Sequence, residues 1–248
     1  MAEFQNTIDL LGDEVVASYI ADRSIVNFSD DILNNVGNGA FQQCSALTSV
    51  DLPNVTSIGN GAFQQCSALT SVNIPNVTSI GNGAFQQCSA LTSVNIPNVT
   101  SIGDSTFYKC SKLTSVDLPN IASIGNYVFQ MCSALTSINL SNATDIAQSA
   151  FVGCSELTSI DLPKVTSIGA NVFNGCSKLT SVILRSEKIC TLANVNVFAK
   201  TPFASGGIGG TVYVPQALIT EYQNATNWST LYAAGTCNFV AIEGSEYE

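Results

Sequence analysis

The sequence predicts a repeat solenoid: a right-handed coil carrying one parallel β-sheet of about nine strands, mostly β and irregular, with helical caps at both ends. Three observations predict it. A 22-residue unit starting at Leu47 recurs from Leu69 and, with drift, from Leu91, Leu113, Leu135, Leu157 and Leu179. The columns Phe41, Phe63, Phe85, Phe107, Phe129, Phe151, Phe173 and Cys44, Cys66, Cys88, Cys110, Cys132, Cys154, Cys176 keep that phase without a gap. Within each unit, Val50 and Leu52 alternate with Ser49 and Asp51, the periodicity of a strand. Self-similarity at such a period dictates stacked supersecondary units.

Each unit reads as one coil. Pro53 has no N–H to give a ladder and marks the strand end. Val55 and Ile58 then point inward, Gly59 supplies a turn, and Ala62, Phe63 and Cys66 close the circuit through a short 3₁₀-like segment. Stacking puts each Leu52-type strand beside its copy at about 4.8 Å. Crossovers between parallel strands are right-handed. Burying one coil's six large side chains does not offset the ordering of its backbone, so the array needs several coils and capped ends.

The pattern Leu-x-x-Val-x-Leu-Pro-x-Val-x-x-Ile-Gly-x-x-Ala-Phe-x-x-Cys resembles the BspA-like leucine-rich repeat of surface proteins from oral and gut bacteria and some protozoa. It covers residues 25–203, about seventy per cent of the chain. The resemblance implies a leucine-rich-repeat coil, curved and used for adhesion or binding. It implies no enzymatic activity, and partners that differ between members.

Residues 1–24 depart from the repeat. Ile8, Leu10, Leu11, Val15, Val16, Tyr19 and Ile20 fall near a helical period and predict an N-terminal helical cap over the first coil. A degenerate coil starts at Ile25, with Asp30 where an inward Leu is expected. Beyond Leu184 the spacing stretches: Ile189, Leu192 and Phe198 stand in for Val165, Ile168 and Phe173. Gly206–Gly210 reads as a flexible loop, and Thr211–Val214 as a ninth strand. Residues 204–248 form a C-terminal cap, with helices over Gln216–Tyr222 and Trp228–Ala234 and a final strand over Cys237–Ile242.

The chain has 8 basic and 18 acidic residues, a formal charge of −10, and no His. That balance disfavours nucleic acid and anionic membrane surfaces, and no apolar run is long enough for direct membrane insertion. The start lacks the basic and apolar regions of a secretory leader. We expect a cell-surface or secreted protein, with a virion-associated one as the alternative. Without His, the commonest general base and the Ser–His and Cys–His pairs are absent. Asp117 and Asp161 share a column about 10 Å apart, near the upper limit for an inverting glycosidase, but both read as solvated. The cysteine file is linear, whereas structural zinc wants a tetrahedron. It reads as a buried file of soft side chains, with a Cys190–Cys237 disulfide left open. No catalytic residue, metal or cofactor is expected.

Two surfaces are candidates for binding. One is the outward face of the strands, with Asp51, Asn73, Asn95, Asp117, Asn139 and Asp161 beside Thr and Ser hydroxyls. The other is a flank where repeat copies diverge: Tyr108, Lys109, Lys112, Tyr127, Gln130 and Met131. Both can equally be solvated or drifting positions. The partner expected is a protein or glycan on a host or neighbouring cell; a spacer or assembly subunit of a phage tail or surface fibre is the alternative. Seven Asn-x-Ser/Thr sequons occur, at Asn27, Asn54, Asn76, Asn98, Asn142, Asn224 and Asn227. The coil from Leu135 departs furthest from the pattern, with Ser141 for Pro, Ala143 for Val and Ala147 for Gly.

Overall fold

The computed structural model describes residues 6–11, 14–20, 24–204 and 209–248, with side chains from residue 24 onward. Each coil crosses the stack with a three-residue strand, turns at Pro, crosses again with a two-residue strand, and returns through tight turns. The three-residue strands begin at Asn27–Ser29 and Ser49–Asp51 and continue in register, Val50 opposite Val72 and Val72 opposite Val94. They run in groups of four, two and four, the last ending in Gly210–Val214 and Cys237–Ala241. The expected ninth and final strands are therefore present.

The second ladder corrects the expectation of one sheet. Ser57–Ile58, Ser79–Ile80 and their copies pair in parallel register in two further groups, broken between Ser101–Ile102 and Ser123–Ile124. Two residues between a proline turn and a glycine are too short for alternation to show in sequence.

The N-terminal helical cap is also corrected. Strand β1 (Asn6–Leu11) pairs antiparallel with β2 (Glu14–Ile20), Leu11 opposite Glu14. Strand β2 then joins the short-strand ladder, Ala17 opposite Val36. The β-branched residues Thr7, Ile8, Val15, Val16 and Ile20 favour strand, and Gly12-Asp13 between two such runs is a hairpin signal that outweighs the helical period. At Asp30, the mismatched carboxylate accepts from Ile32 N–H at 2.7 Å and Leu33 N–H at 2.9 Å, capping a turn at the stack's end.

The core is a set of files. Eight phenylalanines from Phe41 to Phe198 stack with centroids 4.9–5.7 Å apart and planes within 16°. Phe28 closes one end edge-on, and Phe203 and Trp228 close the other. All nine cysteines are buried and none is in a disulfide, Cys190 and Cys237 included. Each thiol from Cys66 to Cys176 donates to the carbonyl of the Phe one coil back, as Cys88 Sγ does to Phe63 O at 3.1 Å. That carbonyl also takes the N–H of its own coil's Cys, Cys66 N in the case of Phe63. The cysteine file is thus a hydrogen-bonding seam as well as packing.

Polar files line the outside. Thr70 Oγ1 donates to Thr48 O at 3.0 Å, a bond repeated from coil to coil. Asn54, Asn76, Asn98 and Asn142 use their side-chain nitrogen on the preceding coil, Asn76 Nδ2 on Pro53 O at 2.7 Å. That is the sequon nitrogen, one of whose two hydrogens is engaged in the folded coil. Glycine is required where coils touch: a Cβ on Gly103 would stand 2.4 Å from Asn82 N.

At the C-terminal end, α1 (Ile219–Asn224) and α2 (Trp228–Ala233) form as expected, preceded by a 3₁₀ turn at Gln216–Leu218. They seal the edge of the short-strand ladder with side chains. Tyr222 Oη accepts from Cys190 N–H at 2.9 Å, Trp228 Nε1 donates to Cys190 O at 2.7 Å, and Asn227 Nδ2 to Leu192 O at 2.7 Å. The stretched coil keeps phase, with Leu192 opposite Ile168 and Phe198 stacked on Phe173. Most of the expected glycine loop, residues 206–208, lies outside the described residues.

The coil from Leu135 carries a structural weakness. Its strand Ser137–Asn139 pairs with Ser115–Asp117 only, the ladder breaking on its other side as it also does between Asn95 and Ser115. Ile138 is half-buried, where its counterparts are buried. Native-state hydrogen exchange should therefore find the least protected amides of the regular coils between residues 135 and 156. Equal protection throughout the stack would refute this.

Candidate functional site

The outward face of the long-strand ladder holds its six residues in one exposed file, but most of them are occupied by each other. Asn73 Nδ2 donates to Asp51 Oδ1 at 2.8 Å, and Asn139 Nδ2 to Asp117 Oδ1 at 2.7 Å. Arg185 Nε reaches both oxygens of Asp161, at 3.1 and 3.0 Å. Asn95 ends the first group of four strands. Five of the six side chains are thus engaged, and Asp117 and Asp161 each hold a partner of their own.

The flank is different. In every coil, two positions adopt left-handed backbone. The first is glycine at Gly39, Gly61 and Gly83 and becomes Ser105, Tyr127, Ser149 and Asn171; the second is Gln43, Gln65 and Gln87, then Lys109 and Met131, then Gly153 and Gly175. An L residue with a side chain is costly there by about 1 kcal/mol. The glutamines recover part of it by pairing along their file, Gln43 Nε2 to Gln65 Oε1 at 3.1 Å. Tyr127, at φ 60°, is 36% exposed, and Met131, at φ 62°, is 45% exposed. Room for Met131 is supplied from the next coil, because a Cβ on Gly153 would stand 2.8 Å from Met131 Sδ.

An open groove of about 530 Å³ runs along this flank, lined by Gln65, Gln87, Lys109 and Met131 and by Ser67, Ser89, Ser111 and Ser133. The structure therefore brings Lys109 and Met131 together. Tyr108 packs under Lys109, whose Nζ lies 5.1 Å from the ring centre. The exposed Lys112, Tyr127 and the half-buried Gln130 lie outside the groove lining. The serine file was missed because it does not vary between copies; position two residues past each Gln was its only signal.

A second groove, of about 460 Å³, follows the short-strand ladder and includes Asp145, Ser167 and Thr191. Hydrogen bonds from Ser167 and then Thr144 hold the Asp145 carboxyl below its ordinary range. Burial, by contrast, pushes the thiols of Cys88, Cys110, Cys132 and Cys154 up, and those of Cys190 and Cys237 up to about 12. These thiols stay protonated and turned inward, so they offer neither a nucleophile nor a metal ligand at neutral pH.

Among solved structures, a leucine-rich repeat protein of T. pallidum shares 26% identity at TM-score 0.63, covering 71% of this chain and 87% of its own. A leucine rich cell surface protein from Faecalibacterium prausnitzii A2-165 shares 24% identity at TM-score 0.70, covering 88% of this chain and 70% of its own. A leucine-rich repeat protein from Bacteroides ovatus shares 23% identity at TM-score 0.53, covering 86% and 70%. No curated protein sequence matches. No helix among the described residues is long and apolar enough to cross a membrane. The profile of the BspA type leucine rich repeat region matches in 6 copies over residues 20–120 and 100–213, and the chain belongs to that family.

Proposed function

We propose that the protein is a non-enzymatic binding module, displayed on a cell or particle surface, that engages a protein or glycan through the flank around residues 104–131. One observation carries the reading. Lys109, Tyr127 and Met131 hold bulky side chains on left-handed backbone, in columns where some copies place glycine and others Gln, Ser or Asn, and they cluster beside an open groove. Strain kept at an exposed site, against a glycine alternative that the same chain uses, argues for a contact made there. Tyr and Met are also typical interface anchors. A structural neighbour described as a cell surface protein supports the display.

The test replaces Lys109, Tyr127 and Met131 together by Gly. The backbone already suits Gly, so the urea midpoint should hold or rise, by about 0.5 kcal/mol per site. Capture of the protein by intact cells of candidate hosts should fall at least about tenfold. A triple-glycine variant that binds as well as wild type overturns the reading. A second reading, a spacer or assembly subunit of a tail or fibre, rests on the terminal strand Asn27–Ser29, beside which Val26 and Ile32 are exposed. Concentration-dependent assembly in solution would favour it.

A further inference from the structure

The flank reading can be taken one step further, to the chemistry of the partner. Lys109 and Lys112 are the only basic residues between positions 24 and 163, in a chain of net charge −10. Three other cations of the stack are bound across coils, Lys164 to Asn142 Oδ1, Lys178 to Glu156 and Arg185 to Asp161, while Lys188 and Lys200 near the C-terminal end are not. Among the described residues, Lys109 and Lys112 reach no carboxylate. Lys109 also ends the Gln43–Gln65–Gln87 amide file, exchanging a continuing hydrogen bond for a charge that no described residue neutralises. Its stem lies against Tyr108, beside Met131 in the groove.

The groove spans four coils, about 15 Å at the strand spacing, which matches four or five residues of extended backbone. Its Ser hydroxyls and Gln amides can meet the donors and acceptors of such a backbone. No aromatic ring lines it to stack on a sugar, so a peptide fits better than a saccharide. The acidic remainder of the molecule repels an anionic partner everywhere else, which would hold it in register at the two lysines.

We propose that this groove takes an extended acidic segment of a partner protein, with one carboxylate at Lys109 in the groove, an apolar side chain against Met131, and a second carboxylate at the exposed Lys112 outside the groove lining. The proposal rests on the flank reading.

The probes are an eight-residue peptide of alternating Glu and Val, its Gln–Val counterpart, and a galacturonate hexamer, titrated into the full chain and followed by amide chemical shifts. The Glu peptide should bind about tenfold tighter than the Gln peptide at low ionic strength, with shifts at Lys109, Ser111 and Met131, and should weaken with salt. The double variant Lys109→Gln, Lys112→Gln should erase the difference, and Lys188→Gln should not. Lys109→Gln restores the residue of the preceding coils, so folding is not at issue. Equal binding of the two peptides, full binding by the double Gln variant, or preference for the galacturonate hexamer would each overturn the proposal. If the triple-glycine variant loses cell capture while the double Gln variant keeps it, the charge inference fails and the flank reading stands. If the triple-glycine variant captures cells like wild type, the flank reading itself has failed.

Discussion

Raising the pH from about 8 to about 10.5 should unfold the solenoid. Burial raises the thiols of Cys88, Cys110, Cys132, Cys154, Cys190 and Cys237 in the folded chain, while unfolded thiols ionise near the ordinary value of 9.0. The folded state therefore binds more protons above that value. Its stability is complete below the unfolded pKa and is lost as pH climbs towards the folded one. Each thiol takes about 1.4 kcal/mol per pH unit in that window, and six take about 8 kcal/mol, as much as a whole domain's stability. The urea midpoint should be flat from about pH 6 to 8 and collapse above about 9. Replacing Cys110 and Cys132 by Ala should reduce the slope by about a third, whatever it does to the neutral-pH midpoint. A midpoint still flat at about pH 10.5 would mean the thiols are not buried.

Phe107→Ala should cost about 4 kcal/mol at neutral pH. The ring is fully buried and stacked 5.5 Å from both Phe85 and Phe129, so the coils on either side prevent the cavity from collapsing. Phe107→Leu, which keeps most of the volume, should cost about 1.5 kcal/mol. Because coils touch only their neighbours, the Ala variant should also split denaturant unfolding into two transitions, one for each half. A loss under about 1 kcal/mol, with one transition kept, would show that the stacked file does not hold the coils together.

The period made the core legible. A residue type returning every coil must meet the same surroundings, and the Phe, Cys and Leu columns are buried for that reason. The cap helices were legible from the composition of Gln216–Tyr222 and Trp228–Ala234. The hairpin at residues 6–20 was misread because seven apolar positions fit a helical period; the β-branched content and Gly12-Asp13 were the better guide. The polar face was visible as a file, but which amide meets which carboxylate depends on register. The flank was visible as divergence between copies. That Lys109, Tyr127 and Met131 stand on left-handed backbone was written only in the glycines that occupy the same columns elsewhere.

Thiol titration of the native protein tests the central claim most directly. With a water-soluble thiol reagent at neutral pH, none of the nine cysteines should react while the chain is folded, and all nine should react once it is unfolded in urea. Rapid reaction of several thiols in the native protein would place the cysteine file in solvent and contradict the stacked coil.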